Sequence, residues 1–593
     1  MRVNRPMAIA ALTITLVTAS TPGLVAHANP ADGDAQVRVV GVVERLADPV
    51  DGLESAVRLP GGERLPVDAA GRARPGDEVS VTIPVTQDVV EAAESGRSVP
   101  GVDGEVSPTR RELRRASATP AAPDSALAKA TVQDVVDAGR VAPVDTVTVL
   151  QQARSGAGSV GAVHDVTVAI VAPKGVRGRV ATRAQVATQV KNVGAYWREQ
   201  SGGAVDFRLA RTVGAYASAY TCKDSPFKLW TEAARATGFD EGPGKHLVVV
   251  LPREAVDAGC SYGLASMGQD VESGGVAYVA DTSWPVLAHE LGHNFGLAHA
   301  KALQCRSITD ADLARVPSSC GVDEYGDPFD VMAASAANVA GSLSVPQAVR
   351  VGFIGSSGYV DVRSGVRKVT LNAVSSLNGV RGVRVRDPRS GAVYWVEYRT
   401  RAGRDSALYR PMTAGVRVLR EESVTPDTPW PGTVALDASP TGRDSDASWQ
   451  VPAKHLFTSY GSGVSVTVES VAGARATVSV SVSAAGRRVA GARAGAVSRV
   501  GTAAAAAPST PSLAINSRGV VSWKTQRAVR YDVVVRRVDG RSHGRIQTWY
   551  AGTTRTSAQL KAARGTTVQV RARAKGADGR VGAWSSWRAV AFR

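Results

Sequence analysis

The feature that most constrains this chain is an eleven-residue segment, 289–299, with the sequence HELGHNFGLAH. It holds three of the chain's eight histidines, together with a glutamate and two glycines. Residues four apart lie on one face of an α-helix, so His289 and His293 can turn their rings toward one point. Gly296 stands where a helix ends with a positive φ, and that turn would bring His299 back to the same point. The segment therefore predicts a helix and a tight turn that gather three imidazoles.

Three imidazoles gathered in this way predict a zinc site. Three neutral imidazoles leave a fourth position on zinc open for water, as in catalytic rather than structural sites. Zinc lowers the pKa of such a water to about 7 and polarises a carbonyl group. Glu290 stands beside the first histidine, where it can take the proton of that water and pass it to a leaving amine. We therefore predict one catalytic zinc ion held by His289, His293 and His299, with Glu290 as general base.

The segment resembles the H-E-x-x-H-x-x-G-x-x-H signature of the metzincin metalloproteases. That family carries a tight turn whose methionine lies beneath the three histidines, and here the run 325–332 (YGDPFDVM) ends in Met332, one of only five methionines. This run and residues 345–354 are similar to the gametolysin-like peptidases. The resemblance covers residues 163 to 355 or so, and it implies an α/β catalytic domain, a zinc cofactor and hydrolysis of peptide bonds within protein or peptide substrates.

The chain departs from several metzincin groups. Reprolysins have aspartate after the third histidine, where Ala300 stands here. Astacins and serralysins place a tyrosine ligand two residues past the Met-turn methionine, where this chain has Ala334. Many metzincins silence their precursors with a propeptide cysteine on the zinc, yet no cysteine precedes Cys222. An inhibitory N-terminal segment would therefore need a carboxylate or simple steric cover.

By the same resemblance, residues 275–281 (GVAYVAD) form the edge strand that pairs with an extended peptide substrate. The candidate contacts are Gly275, Val276, Ala277 and Tyr278. Backbone pairing of this kind accepts many sequences and leaves selectivity to side-chain pockets. An ordinary strand within the sheet is the alternative interpretation.

The four cysteines predict two disulfides, because an even count in an exported chain favours disulfides over thiols. Sequence proximity favours Cys222–Cys260 and Cys305–Cys320. A zinc–thiolate site is the alternative, but no C-x-x-C spacing supports it.

A second metal site is a weaker prediction. Asp323, Glu324 and Asp327 could bind calcium, but their spacing matches no EF-hand loop. A solvated acidic loop explains the same charges.

The first residues read as an export signal. Arg2 and Arg5 precede a largely apolar stretch at 7–19, and Ala26-His27-Ala28 fits a small-x-small cleavage site. The apolar stretch is too short to cross a bilayer, and no later stretch reaches the roughly 18 residues that a spanning helix needs. We therefore predict a secreted, extracellular protein without a membrane anchor.

Periodicity and composition predict a multidomain chain, in which an α/β (α+β) domain is flanked by an N-terminal β-rich region and C-terminal all-β sandwich domains. Residues 110–128 are polar and are interpreted as a linker or processing region within the N-terminal part. The predicted parts are a signal peptide (1–28), a β-rich propeptide and linker (29–162), the metzincin-like catalytic domain (163–356), a β-sandwich (357–483), an Ala/Gly/Arg-rich linker (484–511) and a domain resembling fibronectin type III (512–593).

The charge distribution limits the classes of molecule that the chain is expected to bind. The formal net charge is +17, but the arginines are spread along the chain without the basic run of a nucleic-acid-binding arm. We therefore expect no nucleic acid, and we expect a monomer whose C-terminal modules are candidates for cell-surface or matrix association. Two rival functions remain: an adhesion protein that keeps zinc as a structural staple, and a zinc hydrolase for amides or esters outside proteins. Glu290 disfavours the first, because a structural site needs no base.

Overall fold

The structure is a computed structural model. It describes residues 35–50, 53–68, 72–153, 162–334, 339–408, 414–422, 431–441, 449–484 and, between 511 and 592, a series of shorter stretches. The predicted signal peptide and residues 485–510 of the predicted linker lie outside the described residues. Within the described part of the chain, no helix is both long and apolar enough to cross a bilayer.

The N-terminal region is a five-stranded sheet, in the order β3-β2-β1-β4-β7, packed against helices. Its elements are β1 (Gln36–Val50), β2 (Leu53–Arg58), β3 (Arg64–Pro66), β4 (Glu78–Pro84), α1 (Gln87–Ser95), β5 (Val99–Gly101), β6 (Gly104–Val106), α2 (Arg110–Ala116), α3 (Ala126–Ala138) and β7 (Thr146–Gln151). The alternating valines of β1 and β4 pair in antiparallel register and bury one face of the sheet.

The interpretation of residues 110–128 as a linker is wrong for the residues that form helices. Helix α2 and the start of α3 occupy much of it. Alanine and arginine are good helix formers, so a polar composition there is compatible with a surface helix. A capping box starts α2: the Thr109 side chain accepts from the backbone N–H of Glu112, and the Glu112 carboxylate accepts from the backbone N–H of Thr109.

The next region is a five-stranded sheet in the order β11-β12-β10-β8-β9, with helices on both faces. Its elements, with two further strands and two helices that follow the sheet, are β8 (Ala162–Ala172), α4 (Arg183–Gln200), β9 (Val205–Ala217), α5 (Pro226–Thr237), β10 (Lys245–Leu251), β11 (Gly263–Ala265), β12 (Gly275–Ala280), α6 (Trp284–Asn294), β13 (Ala300–Cys305), β14 (Cys320–Asp323) and α7 (Val345–Arg350). Strands β9, β8, β10 and β12 are parallel, and β11 is antiparallel to β12. Alternate residues of β8 pack toward α4 and α6 on one face and toward α5 on the other.

The prediction that residues 275–281 form the edge strand of this sheet is wrong, and the alternative of an ordinary strand within the sheet is the one that the structure shows. Strand β12 lies between β10 and β11, so both of its sides are paired, and β11 lies outside it. Outside β11 runs the end of β1: Leu46 forms an antiparallel bridge with Ser266, and the N–H of Met267 donates to the carbonyl of Arg45 at 2.8 Å. A three-residue strand such as β11 is too short to give a periodic signal in the sequence.

The region from 359 to 483 is built from strands, in two sheets that share one apolar core. Its strands are β15 (Tyr359–Val362), β16 (Gly365–Asn372), β17 (Gly382–Arg386), β18 (Val393–Arg399), β19 (Gly415–Glu421), β20 (Thr433–Leu436), β21 (Leu456–Thr458), β22 (Val464–Ala472) and β23 (Arg475–Val482). One sheet has the order β16-β23-β22-β21. The other has the order β14-β13-β20-β19-β18-β17-β15, so it includes two strands from the preceding region. Strand pairing therefore crosses the predicted domain boundary at 356/357.

The last region is also built from strands in its described stretches. They are β24 (Ser512–Ile515), β25 (Val520–Lys524), β26 (Arg530–Asp539), β27 (Ser542–His543), β28 (Gln547–Thr553), β29 (Ser557–Gln559), β30 (Thr567–Lys575) and β31 (Arg588–Ala591). Two sheets enclose a small core around the buried Trp523. The resemblance to fibronectin type III stays a prediction.

The two disulfides pair as predicted. Cys222, which lies ahead of α5, is bonded to Cys260, which lies ahead of β11. Cys305 is bonded to Cys320, and this bond joins the facing ends of β13 and β14.

Candidate metal centre and active site

Helix α6 carries the first two histidines and begins with a proline in its first turn. Two glycines allow close packing against this helix and the turn at its end. At Gly292 a Cβ atom would lie 2.4 Å from the sulfur of Met332, so only glycine allows that methionine to pack directly against the helix. Gly296 has a φ of 77°, and the turn expected there reverses the chain toward His299.

The three predicted histidines come together in the structure. All three are buried, and they offer ligand nitrogens that lie within 4.8 Å of one another. The Nε2 atoms of His289 and His293 are 3.0 Å apart. The Nε2 atom of His299 is buried and has no hydrogen-bond partner in the described part of the chain.

Each ring is held through its other nitrogen. Nδ1 of His289 lies 2.9 Å from the carbonyl oxygen of Val331, and Nδ1 of His293 lies 2.7 Å from that of Leu297. Nδ1 of His299 lies 3.0 Å from Oε1 of Glu324. Because an Nδ1–H donates in each of these bonds, the lone pairs of the three Nε2 atoms are left for an ion.

Two of the three histidines, His289 and His293, are held as neutral bases. Burial, with a smaller contribution from His299, lowers the pKa of His289 to about 3. Burial and the two neighbouring rings lower the pKa of His293 well below its ordinary value. Neutral imidazole is the form that binds metal, so His289 and His293 need no deprotonation before they bind an ion at neutral pH.

Glu290 follows His289 directly in helix α6 and is almost fully buried. A Cβ atom on Gly263 would lie 2.1 Å from its Oε1, so the carboxylate lies against strand β11. Its Oε2 atom is buried without a hydrogen-bond partner among the described residues. Burial, and then the nearby Asp48 carboxylate, raises the pKa of Glu290 well above its ordinary value. A carboxylate with raised basicity next to a metal-binding cluster is equipped to accept a proton.

The Met-turn is held by buried carboxylates. Asp330 accepts from the N–H of Met332 at 2.9 Å with one oxygen and from the N–H of Ser344 at 2.8 Å with the other. Asp327 forms a buried ion pair with Arg417 of strand β19, at 2.8 Å. The turn that supports His289 is therefore attached to the strands beyond residue 356.

Two residues near the triad have no part in the sequence prediction. Asp48, at the end of β1, places Oδ2 3.6 Å from Nε2 of His299. Its Oδ1 accepts a hydrogen bond from the hydroxyl of Tyr325 at 3.2 Å, and the ring of Tyr325 lies 4.3 Å from that of His299. Nothing in the sequence around Asp48 marks it, whereas Tyr325 lies within the run that ends at Met332 and could have been considered.

The predicted calcium site has no support in the structure. Glu324 contacts His299 and Lys301, and Asp327 is paired with Arg417. Among the described residues, the three histidines are the group of His, Cys, Asp or Glu side chains close enough together to hold a metal ion.

Comparison with known proteins agrees with this site. Residues 164–337 match the family model described as Reprolysin_5, metallo-peptidase family M12. This part of the chain is thus similar to the M12 metallopeptidases, a class of peptide hydrolase that in general uses zinc, and it carries a metzincin-like histidine triad. No curated protein matches the chain.

Two solved structures resemble parts of it. Metalloproteinase-II from Bacteroides fragilis is 12% identical over 50% of this chain and 75% of its own, with a TM-score of 0.22. A Fn3-like protein from Clostridium thermocellum is 22% identical over 15% of this chain and 96% of its own, with a TM-score of 0.13.

Proposed function

We propose that this protein is a secreted zinc metalloendopeptidase that hydrolyses peptide bonds in extracellular proteins. One observation carries the proposal: three buried imidazole nitrogens lie within 4.8 Å of one another, and the next residue after His289, Glu290, buries a carboxylate oxygen that has no hydrogen-bond partner among the described residues. A structural zinc staple has no use for such a carboxylate.

The residues fit a zinc ion. His289, His293 and His299 would hold it through Nε2, because each Nδ1 is already bonded to an oxygen atom. When bound, zinc polarises a carbonyl group and lowers the pKa of water. The adjacent Glu290 then accepts a proton at its carboxylate and delivers it to the nitrogen of the leaving amine.

Strand β11 is the proposed peptide-binding edge, in place of β12. Glu290 packs against Gly263 of β11, so a chain paired with this strand passes the triad. The place is taken by residues 45–46 of β1, whose backbone pairs with that of residues 266–267 just beyond β11. A substrate in this place would be held by main-chain bonds of the same kind.

We infer that the N-terminal region keeps the enzyme latent. The sequence left a carboxylate or steric cover as alternatives, and both are supported here: Asp48 reaches the triad, while Arg45 and Leu46 cover the edge of the sheet. Leu46 and Leu53 pack with Trp230 and Leu264. This region would have to be removed or displaced before a protein substrate could bind.

The test is zymography on casein with the purified chain after removal of its N-terminal region. We expect clearing that a chelator abolishes and zinc restores. Glu290→Ala should retain zinc by metal analysis and lose nearly all clearing, whereas Glu469→Ala, an exposed glutamate on β22, should clear normally. Zinc binding without clearing by the unaltered enzyme would favour the adhesion protein or the non-peptide hydrolase, and clearing by Glu290→Ala would remove Glu290 from its role.

A further inference from the structure

We propose that Tyr325 is a catalytic residue whose hydroxyl donates a hydrogen bond to the carbonyl oxygen of the peptide bond being cleaved. The proposal rests on the proposed peptidase function and adds a residue to it. Ala334 occupies the position after the Met-turn where astacins and serralysins have a tyrosine, whereas Tyr325 lies before that turn.

The backbone of Tyr325 is fixed on both sides. Its N–H donates to the carboxylate of Asp323 at 3.2 Å, and its carbonyl accepts from the N–H of Ala334 at 3.2 Å. The ring lies 4.3 Å from the ring of His299 and 6.1 Å from that of His289. The hydroxyl is therefore held at the rim of the triad by the same loop that ends at Met332.

Asp48 shows which group this hydroxyl can bind. One oxygen of its carboxylate lies 3.6 Å from Nε2 of His299, and the other accepts from the Tyr325 hydroxyl. The carboxylate thus places negative charge between the triad and the phenol. Peptide hydrolysis also develops negative charge on an oxygen beside the triad, and a donor already aimed at that position stabilises it. When β1 leaves, a substrate oxygen can take the place of the Asp48 carboxylate.

The simpler explanation is that the ring of Tyr325 only packs against His299 and positions it. Tyr325→Phe separates the two roles, because it keeps the ring and removes the donor. Tyr460→Phe is a matched control: Tyr460 is 37% exposed, against 38% for Tyr325, and its ring packs under Arg420 in the strand-rich region.

The decisive measurement is acetate binding to the full chain that carries Asp48→Ala and is loaded with Co²⁺, followed by visible absorption. Acetate is small enough to enter the space of the missing carboxylate even if β1 stays in place. We expect Tyr325→Phe to weaken acetate binding by about tenfold, because a hydrogen bond to a charged acceptor is lost. Binding of imidazole, which has no anionic oxygen, should be unchanged, and Tyr460→Phe should change neither affinity.

Equal acetate affinity with and without the hydroxyl would overturn the proposal, as would a parallel loss of imidazole binding, which would indicate a positioning role. If the Asp48→Ala chain hydrolyses peptides, Tyr325→Phe should lower kcat by about a hundredfold with little change in KM, and a change in KM alone would contradict the role. Failure of the chain to bind cobalt through its histidines would instead overturn the proposed function itself.

Discussion

The histidine triad is contacted from both ends of the chain, and the two contacting regions are attached differently. From the N-terminal side come a strand end, a few apolar side chains and the carboxylate of Asp48. From the C-terminal side come four residues of parallel strand pairing between β13 and β20 and a set of fully buried ion pairs. The first region touches the site through groups that a substrate could replace. The second contributes to the sheet and the turn that position the ligands.

Buried ion pairs attach the strands beyond residue 356 to the loop that ends at Met332. Glu397 binds Arg399 and accepts from the N–H of Val345, while Arg399 also binds Asp405. Arg417 joins the same cluster to Asp327 of the Met-turn loop. The cost of removing one member of such a cluster is high, because its partner is left charged and without solvent.

The comparison predicts that two C-terminal truncations, which differ in whether they keep the β-sandwich, give opposite results. A chain ending at residue 356 should fail to fold and bind no zinc, because β13 loses its parallel neighbour β20 and Asp327 loses its ion-pair partner Arg417. A chain ending at residue 484, which keeps the β-sandwich, should bind one zinc ion. Circular dichroism and metal analysis measure both, and a folded, zinc-loaded chain ending at 356 would show that the two regions are independent.

A single substitution can test the same difference. Arg417→Ala should lower the free energy of unfolding by about 3–5 kcal/mol, because it leaves Asp327 buried and unpaired. Arg208→Ala removes an exposed pair with Asp165 and should cost less than about 1 kcal/mol. Urea denaturation measures both, and similar values would mean that the buried cluster does not support the Met-turn.

A substitution in the N-terminal contact should change the activity rather than the stability of the protein. Asp48→Ala should raise peptide hydrolysis by the full chain by about tenfold or more, since the contact that covers the triad is weakened by about 1.4 kcal/mol or more. Asp103→Ala, which removes an exposed ion pair with Lys129 in the same region, should leave the rate unchanged. An unchanged rate in Asp48→Ala would leave the steric cover of β1 as the sole source of latency.

Helix α6 also contacts a pair of buried histidines of its own domain. This contact makes the stability of the fold depend on pH, independently of the N-terminal and C-terminal regions. His164 and His246 are buried 2.9 Å apart, and His246 is hydrogen-bonded to Asn294. Burial lowers the pKa of His164 to about 4 and that of His246 to about 3. The unfolded chain therefore binds more protons below about pH 6.5, and stability falls as the pH drops from there toward 4.

The expected slope is up to about 1.4 kcal/mol per pH unit for each histidine. Unfolding free energies at pH 7, 6 and 5 should show it, and His164→Gln should lower the slope by the contribution of one histidine, whereas exposed His455→Gln should leave it unchanged. An equal slope in the His164 variant would mean that other groups cause the acid sensitivity.

Local features of the fold were predictable from the sequence. Helices α4 and α5 can be recognised in the sequence, because their apolar positions repeat with helical period and Gly238 closes α5. The gathering of the three histidines was predictable for the same reason: helix geometry and one glycine turn within eleven residues decide it. The disulfides followed from short separations along the chain.

Contacts between distant segments were not predictable. Asp48 contacts His299, although the N-terminal region and much of the next region separate them in the sequence. Nothing in the sequence distinguishes this aspartate from the many others as the one that makes the contact. Strand β11, which takes the position outside β12, has three residues, and that is too few to show the alternating pattern of a strand in the sequence. The pairing of β13 with β20 joins two short strands whose residues would suit many partners.

That pairing bears on when the enzyme can become active. The strand that follows His299 directly has β20 as its parallel neighbour, and the N–H of Thr433 donates to the carbonyl of His299 at 3.2 Å. A chain emerging from the ribosome or a translocation pore has to deliver β20 before the third histidine is held in place. We therefore expect an unfinished chain to be unable to retain its metal, which would protect the cell that makes it from a prematurely active peptidase.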